Sequence, residues 1–244
     1  MSTHETALHG LGQERHRGPL REGERVQIRD PKGRLHQVIL VAGGRFQSNR
    51  GFIDHDDLIG RPDGQVITTE EGRQFQILRP LQADYVMSMP RGAAVVYPKD
   101  AGTIVHYADI FPGAVVVEAG AGSGALSMAL LNAVGEKGTL ISVERREEFA
   151  EIARDNVELW FGTPHPAWDL RVGDLAEELL RLPEASVDRI VLDMLAPWEN
   201  LDAVAHALVP GGVLCCYIAT VTQMSRLIED LRATQNFTEP LAWE

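Results

Sequence analysis

From Arg25 to Leu78 apolar and polar residues alternate in short runs, RVQIRD, RLHQVILV and QVITTEEGRQFQIL, broken by Asp30-Pro31-Lys32-Gly33 and Glu70-Glu71-Gly72. Alternation with period two marks strands with one buried face, and Gly-bearing breaks of this kind suit hairpin turns. A small all-β domain is therefore predicted over residues 21–80, with FQSNRGFIDHDDLIGRPDG as a long connection inside it. Residues 1–20 have no hydrophobic period and are rich in His, Glu, Arg and Gly, which predicts a disordered tail.

Beyond Arg79 the period changes, and a second domain is predicted over residues 81–244. Ala101, Ile104, Val105 and Ala108 recur at helical spacing. After Pro112-Gly113 apolar runs alternate with amphipathic stretches: VVVEAG, a helix through Leu126, Ala129, Leu130 and Ala133 ended by Gly135, TLISVE, a helix with Phe149, Ile152, Ala153, Val157 and Trp160 on one side, WDLRV, SVDRIVLD, GGVLCCYIAT, and a last helix through Met224, Leu227, Ile228 and Leu231. Repeated strand-helix units with buried strands predict an α/β fold, a doubly wound parallel sheet of Rossmann-like type. Such sheets bind ligands beyond the carboxyl ends of their strands.

Four carboxylates fall at or near such ends: Glu118, Glu144, Asp174 and Asp193. Glu118 precedes a glycine loop, Gly120-Ala121-Gly122-Ser123-Gly124-Ala125, that opens the next helix. Glycines there permit positive φ and close backbone approach to a ligand at a helix start. The loop also satisfies the dinucleotide pattern, with Glu144 placed where a ribose ligand belongs. A carboxylate just ahead of the loop would repel a pyrophosphate, but suits a cofactor carrying an ammonium and a sulfonium. S-adenosyl-L-methionine (SAM) therefore fits the four-carboxylate field better than NAD. Asp174 reads either as an acceptor for the adenine amine or as a cap of the helix starting near Leu175. Asp193, the polar end of an apolar strand in VLDMLAPWE, needs a partner or water, because burying a lone charge costs several kcal/mol or more.

Composition narrows the setting. The 244 residues are 44% hydrophobic and 24% charged, as in ordinary soluble proteins. Neither an apolar run of membrane-spanning length nor a signal-peptide core occurs, which predicts a cytoplasmic protein without membrane attachment. Residues 1–80 carry 12 Lys/Arg against 11 Asp/Glu, and residues 81–244 carry 11 against 24. An acidic main body argues against broad attraction to a polyanion, while the Arg-rich N-terminal part and Arg145-Arg146 leave room for a local basic path. Cys215 and Cys216 read as buried free thiols, and the eight histidines lack ligand spacing, so no metal site is expected.

The segments DYVMSMPRGAAVVYPKDAGTIVHYADIFPGAVVVEAGAGSGALS, ARDNVE, DRIVLDMLAPWE and YIATVTQ, in this order, closely resemble the tRNA (adenine-N1)-methyltransferases that modify adenosine 58 of the T-loop, particularly actinobacterial members. The resemblance runs from about Gly23 to the last residue. It implies a class I SAM-dependent methyltransferase domain behind the small β domain, a tRNA substrate and a homotetramer. It also implies that the loop from Gly120 to Leu126, Ser123, Gly124 and Ala125 included, holds the methionine part of SAM, with Glu118 just before it. Glu144 then holds the ribose and Asp174 reads the adenine. Phe149 lies near the cofactor, where relatives often carry a polar residue. Asp193 matches the catalytic aspartate, Tyr97 an active-site tyrosine beside the target base, and Tyr217 another aromatic of the pocket. For both tyrosines the alternative is a packed side chain with a satisfied hydroxyl.

Relatives continue past LAWE by several tens of residues that form the last antiparallel strands and part of the tetramer interface. The stop at Glu244 raises the expectation of an exposed apolar edge on the fifth strand, with poor solubility or altered assembly. Two other functions compete with the enzyme: a non-catalytic SAM-sensing RNA-binding or scaffold protein, and an NAD-dependent oxidoreductase.

Overall fold

The computed structural model describes residues 16–49 and 51–244, so most of the expected N-terminal tail lies outside the described residues. Of its last positions, Pro19 bridges Pro62 and Leu20 is buried. The chain divides into two compact units, one reaching to Met89 and including Leu159–Thr163, the other made of Pro90–Glu158 and Pro164–Glu244.

In the first unit, β1 (Arg25–Arg29) and β2 (Leu35–Ile39) form the first predicted hairpin. The stretch expected as a bare connection holds a second hairpin, β3 (Arg45–Ser48) with β4 (Gly51–Asp54). Each strand contributes only one core residue, Phe46 and Ile53, and so shows no alternation to read; the Arg45–Asp54 ion pair joins their ends. β5 (Gln65–Thr68) and β6 (Gln74–Leu78) complete an antiparallel sheet in the order β2-β1-β6-β5. Val26, Ile28, Phe75 and Ile77, the inward set of the alternation, are fully buried. A short helix not foreseen from the sequence, α1 (Gln82–Ser88), also belongs to this unit.

The second unit begins with a strap, Pro90–Tyr97, and α2 (Pro98–Tyr107). It continues as β7 (Val115–Ala119), α3 (Ala125–Val134), β8 (Thr139–Glu144), α4 (Glu147–Phe161), β9 (Trp168–Val172), α5 (Leu175–Arg181) and β10 (Val187–Asp193). A 3-10 turn at Pro197–Asn200 then leads to α6 (Leu201–Ala207), β11 (Leu208–Tyr217) and α7 (Val221–Thr234). The five strands are all parallel, in the order β11-β10-β7-β8-β9. Strand order therefore reverses at β7, and the switch point opens between β7 and β10. One face of the sheet, Val117, Ile141, Val143, Ile190 and Leu192, packs on Leu175 and Leu179 of α5 and on Ala203, Val204 and Ala207 of α6. On the opposite face, Glu118 and Ser142 meet Ser127 of α3. Strand β11 is an edge in this sheet, yet Leu214 and Cys216 are half-buried against α6, α7 and Phe237, and Cys215 is buried.

The strap is tied down by one side chain. Asn156, buried on α4, donates from Nδ2 to the carbonyls of Pro90 and Ser123, both at 2.9 Å. Gly92 N–H donates to Ser123 Oγ at 3.1 Å, and a Cβ on Gly92 would sit 2.7 Å from the Phe149 ring. Replacing Asn156 by alanine strands two carbonyls, at about 1–3 kcal/mol for a buried group left unpaired. Asn156→Ala is expected to lower the thermal midpoint by several degrees; a melting curve identical to the unsubstituted protein would show that the carbonyls find other partners.

Candidate functional site

The carboxyl ends of β7 and β10 are joined by a backbone hydrogen bond, Gly120 N–H to Asp193 O at 3.0 Å. From there the glycine loop turns over the end of β8. Ala121 N–H donates to Val143 O at 3.2 Å and Gly122 N–H to Glu144 Oε2 at 2.9 Å. A Cβ on Gly120 would lie 3.2 Å from that same carboxylate oxygen. Gly124, at φ +81°, starts α3 with its α-carbon against α4: a Cβ there would meet Val157 Cγ2 at 3.0 Å and Ala153 O at 3.1 Å. Gly124 requires glycine for conformation and approach, while at Gly120 a Cβ would crowd the Glu144 carboxylate. The side chains of Ser123, Ala125 and Leu126 are buried, at a helix start where N–H groups lack intrahelical partners.

Glu144 is nearly buried and its two oxygens each take a backbone N–H, from Gly122 and from Arg146 (3.1 Å). Oε1 also receives Arg146 Nε at 3.4 Å, so with about two acceptor positions per oxygen it is Oε2 that retains capacity for a hydroxyl. Glu118 is fully buried. Its Oε2 accepts from Ser127 Oγ and Ser142 Oγ, both at 2.7 Å, and Ser142 Oγ accepts in turn from Trp168 Nε1 at 2.9 Å. Its Oε1 is buried without a hydrogen bond. Burial, added to by the charges of Asp193 and Glu144 and opposed by the two serine hydroxyls, pushes the Glu118 carboxyl up to about 7.

Asp193 ends β10 with its side chain half-buried and without a hydrogen bond from any described residue. Burial first, and the Glu144 charge second, push it up to about 6. Tyr217 pairs with it in register across β10 and β11. The Tyr217 hydroxyl donates to Asp100 Oδ2 at 3.1 Å, and burial, then that bond, hold it above the usual phenol range. Tyr97 stands at the N-cap of α2, 51% exposed; its carbonyl accepts from Asp100 N–H and Ala101 N–H. Tyr97, Asp100 and Asp193 all act electrostatically on the Tyr217 hydroxyl, so the four groups form one cluster.

The structure brings Glu118, Glu144 and Asp193 together toward the carboxyl ends of β7, β8 and β10, near enough for their charges to act on one another. Asp174 stands further out, at the end of β9. It caps α5 through Ala176 N–H at 3.0 Å and pairs with Arg145 at 2.7 Å, which holds its carboxyl below the usual range. Phe149 carries the Arg146 guanidinium over its ring at 3.6 Å and packs against Gly92. Sequence reasoning missed Asn156 and Asp100. Asp100 follows Tyr97 as YPKD, a stretch that reads simply as a helix start with proline and an acid in its first turn. Among the described residues no cluster of three His, Cys, Asp or Glu is placed to hold a metal, and no helix is long and apolar enough to cross a membrane.

Comparison with known proteins agrees with this geometry. Residues 18–67 match the TrmI-like N-terminal family, and residues 75–243 match the family described as the tRNA methyltransferase complex GCD14 subunit. The tRNA (adenine(58)-N(1))-methyltransferase TrmI of Thermus thermophilus is 36% identical over 206 residues, 84% of this chain and 79% of that one. A Methanocaldococcus jannaschii enzyme named for adenines 57 and 58 is 30% identical over 77% of this chain and 73% of its own. Among solved structures, a SAM-dependent O-methyltransferase from Thermotoga maritima superposes with TM-score 0.82 at 30% identity, covering 92% of this chain and 82% of that chain. The tRNA (m1A58) methyltransferase TrmI of Aquifex aeolicus gives 0.77 at 25% identity, covering 88% and 83%. The second unit thus has the SAM-dependent methyltransferase fold, and the chain belongs to the GCD14 family of tRNA methyltransferases.

Proposed function

We propose that this protein is an enzyme that transfers a methyl group from SAM to N1 of adenosine 58 in the T-loop of tRNA. The observation that carries the reading is Asp193: a half-buried carboxylate without a hydrogen bond from any described residue, at the switch point, in one cluster with Tyr97 and Tyr217. The proposed setting is the cytoplasm, and the proposed assembly, taken from the family resemblance, is a homotetramer.

The crevice fits SAM on its own chemistry. Glu118 Oε1 is a buried acceptor in need of a donor, Glu144 Oε2 has an acceptor position to spare for a ribose hydroxyl, and the start of α3, just past the glycine loop, presents first-turn N–H groups to a carboxylate. Asp174 and Phe149 are assigned to the adenine end. SAM supplies an electrophilic methyl on a sulfonium. The residues of this chain do the rest. N1 of adenine lies on the Watson–Crick edge, so the base must leave its stack to be reached. Tyr97, half-exposed, offers a ring face to the extruded base. N1 already bears a lone pair and needs no base; Asp193 accepts from the 6-amino group, orients the ring, and stabilises the positive charge that grows on the base. Holding N1 in line with the methyl carbon supplies much of the remaining acceleration.

Labelled methyl transfer tests the reading directly. Incorporation is expected with unmodified tRNA and not with tRNA carrying guanosine at position 58; equal labelling of both would overturn the site, and labelling of neither the activity. Asp193→Ala is expected to lower methyl transfer by about 100-fold or more, as for one preorganised electrostatic contact, with SAM affinity within about tenfold of the original. Because Asp193 must be ionised to accept the amino hydrogen and its carboxyl is raised to about 6, transfer should fall as pH drops through about 6, and a rate flat across that range would remove Asp193 from this role.

Glu118 gives a second test. Its carboxyl is raised in the folded state, so its contribution to stability is complete below the unfolded value, 4.5, and is lost as pH rises through about 7. Glu118→Gln is therefore expected to melt higher than the parent at pH 8 and not at pH 5, by a difference of up to roughly 3 kcal/mol. It should also bind SAM more weakly, read as a smaller melting shift on adding S-adenosylhomocysteine. An unchanged shift would free Glu118 of a cofactor role. Light scattering at four chain masses is the expected outcome for assembly, and a monomer would exclude the tetramer.

A further inference from the structure

Tyr217 stands beside Asp193 in register and Tyr97 acts electrostatically on the Tyr217 hydroxyl, and neither tyrosine is held by packing alone. Tyr217 is only half-buried at the end of the edge strand β11. Tyr97 is half-exposed and sits on an extended residue ahead of α2, at φ −68° and ψ 152°. A ring that has to receive a flipped base with N1 in line needs its torsions fixed, since small misplacements in a near-attack geometry cost large factors in rate. One residue contacts both arms, Tyr217 through its side chain and Tyr97 through its backbone. Asp100 receives the Tyr217 hydroxyl on Oδ2 at 3.1 Å, while its own N–H donates to Tyr97 O at 2.9 Å. Its second oxygen, Oδ1, lies 3.4 Å from Lys99 Nζ. The carboxylate is largely covered, with a side-chain exposure of 24%, against 78% for Lys99. The hydrogen bond bridges 117 positions of sequence and joins the start of α2 to the end of β11, elements that approach the crevice from opposite ends of the domain's chain.

Nothing in the acid's position suggests contact with the cofactor. Its carboxylate engages the Tyr217 hydroxyl, and that hydroxyl also senses Asp193 and Tyr97. We infer that Asp100 is a positioning residue for the methyl transfer: by holding the Tyr217 hydroxyl and the Tyr97 backbone together, it fixes the walls between which the target adenine meets Asp193. This rests on the methyl-transfer reading above and deepens it. A neutral acceptor of the same shape can do the same work, because what is needed is an oxygen at the Oδ2 position and not a charge. Lys99 then serves as an exposed neighbour, not as part of the brace.

Steady-state kinetics of full-length variants test the inference. Asp100→Ala and Tyr217→Phe are each expected to lower kcat for tRNA methylation by about tenfold or more, with KM for SAM within about twofold. Asp100→Asn, which keeps an acceptor oxygen, should return kcat to within about threefold of the parent. Because the two groups act as one unit, the double variant Asp100→Ala/Tyr217→Phe should be no slower than the worse single one. A spectroscopic readout runs beside activity. The chain has four tyrosines, and Asp100→Ala is expected to move one tyrosinate absorbance step to lower pH, the step that Tyr217→Phe deletes. Losses that multiply in the double variant, an Asn variant as slow as Ala, or a tyrosinate titration unmoved in Asp100→Ala would each overturn the positioning role. These outcomes are separable from failure of the parent reading, which appears in the unsubstituted protein as absence of label at adenosine 58.

Discussion

The site depends on the hydrogen bond from Gly120 N–H to Asp193 O. It ties the strand that begins the glycine loop to the strand that ends in Asp193, at the one place where the order of a doubly wound sheet reverses. On one side of that bond lie the groups proposed for the cofactor, among them the loop, Glu118 and Glu144. On the other lie Asp193 and, one strand further, Tyr217. The missing Cβ of Gly120 lets the Glu144 carboxylate come close while the bond is made. The proposed cofactor half and base half of the site are thereby tied to each other through main chain.

The acidity of the crevice has a cost that the structure shares out. Three carboxylates at the switch point repel one another, and the protein responds differently at each. Glu118 is buried and left with a raised carboxyl, Glu144 is given backbone N–H donors, and Asp193 is half-opened to water. Such a field favours a cationic ligand and disfavours a pyrophosphate. Asp174, which the sequence gathers into the same ring, is largely neutralised by Arg145 and committed to its helix cap. Its place at the adenine end therefore requires it to share its oxygens with groups already bound.

What was legible in the sequence follows from what leaves a periodic trace. The five parallel strands, their crossover helices and the glycine loop each repeat a pattern over several residues, and they stand where the pattern puts them. The carboxylates at strand ends were legible because a charge closing an apolar run is chemically conspicuous. The β3–β4 hairpin and α1 were not, being four-residue strands with one core side chain each and a helix of seven residues, too short to show a period. Asn156 and Asp100 were illegible for a different reason. Each is an ordinary polar residue on an amphipathic helix, and its importance lies in partners 33 to 117 positions away. Long-range hydrogen bonds leave no local mark.

Trp168 brings the buried chemistry within reach of light. Its indole N–H is wired through Ser142 to the Glu118 carboxyl, so gain or loss of a proton there changes the electric field at one ring of the four tryptophans in the chain. An intrinsic fluorophore is thereby one hydroxyl away from a carboxyl that is fully buried. A protonation event that no solvent-borne dye can touch has an optical neighbour built into the sheet.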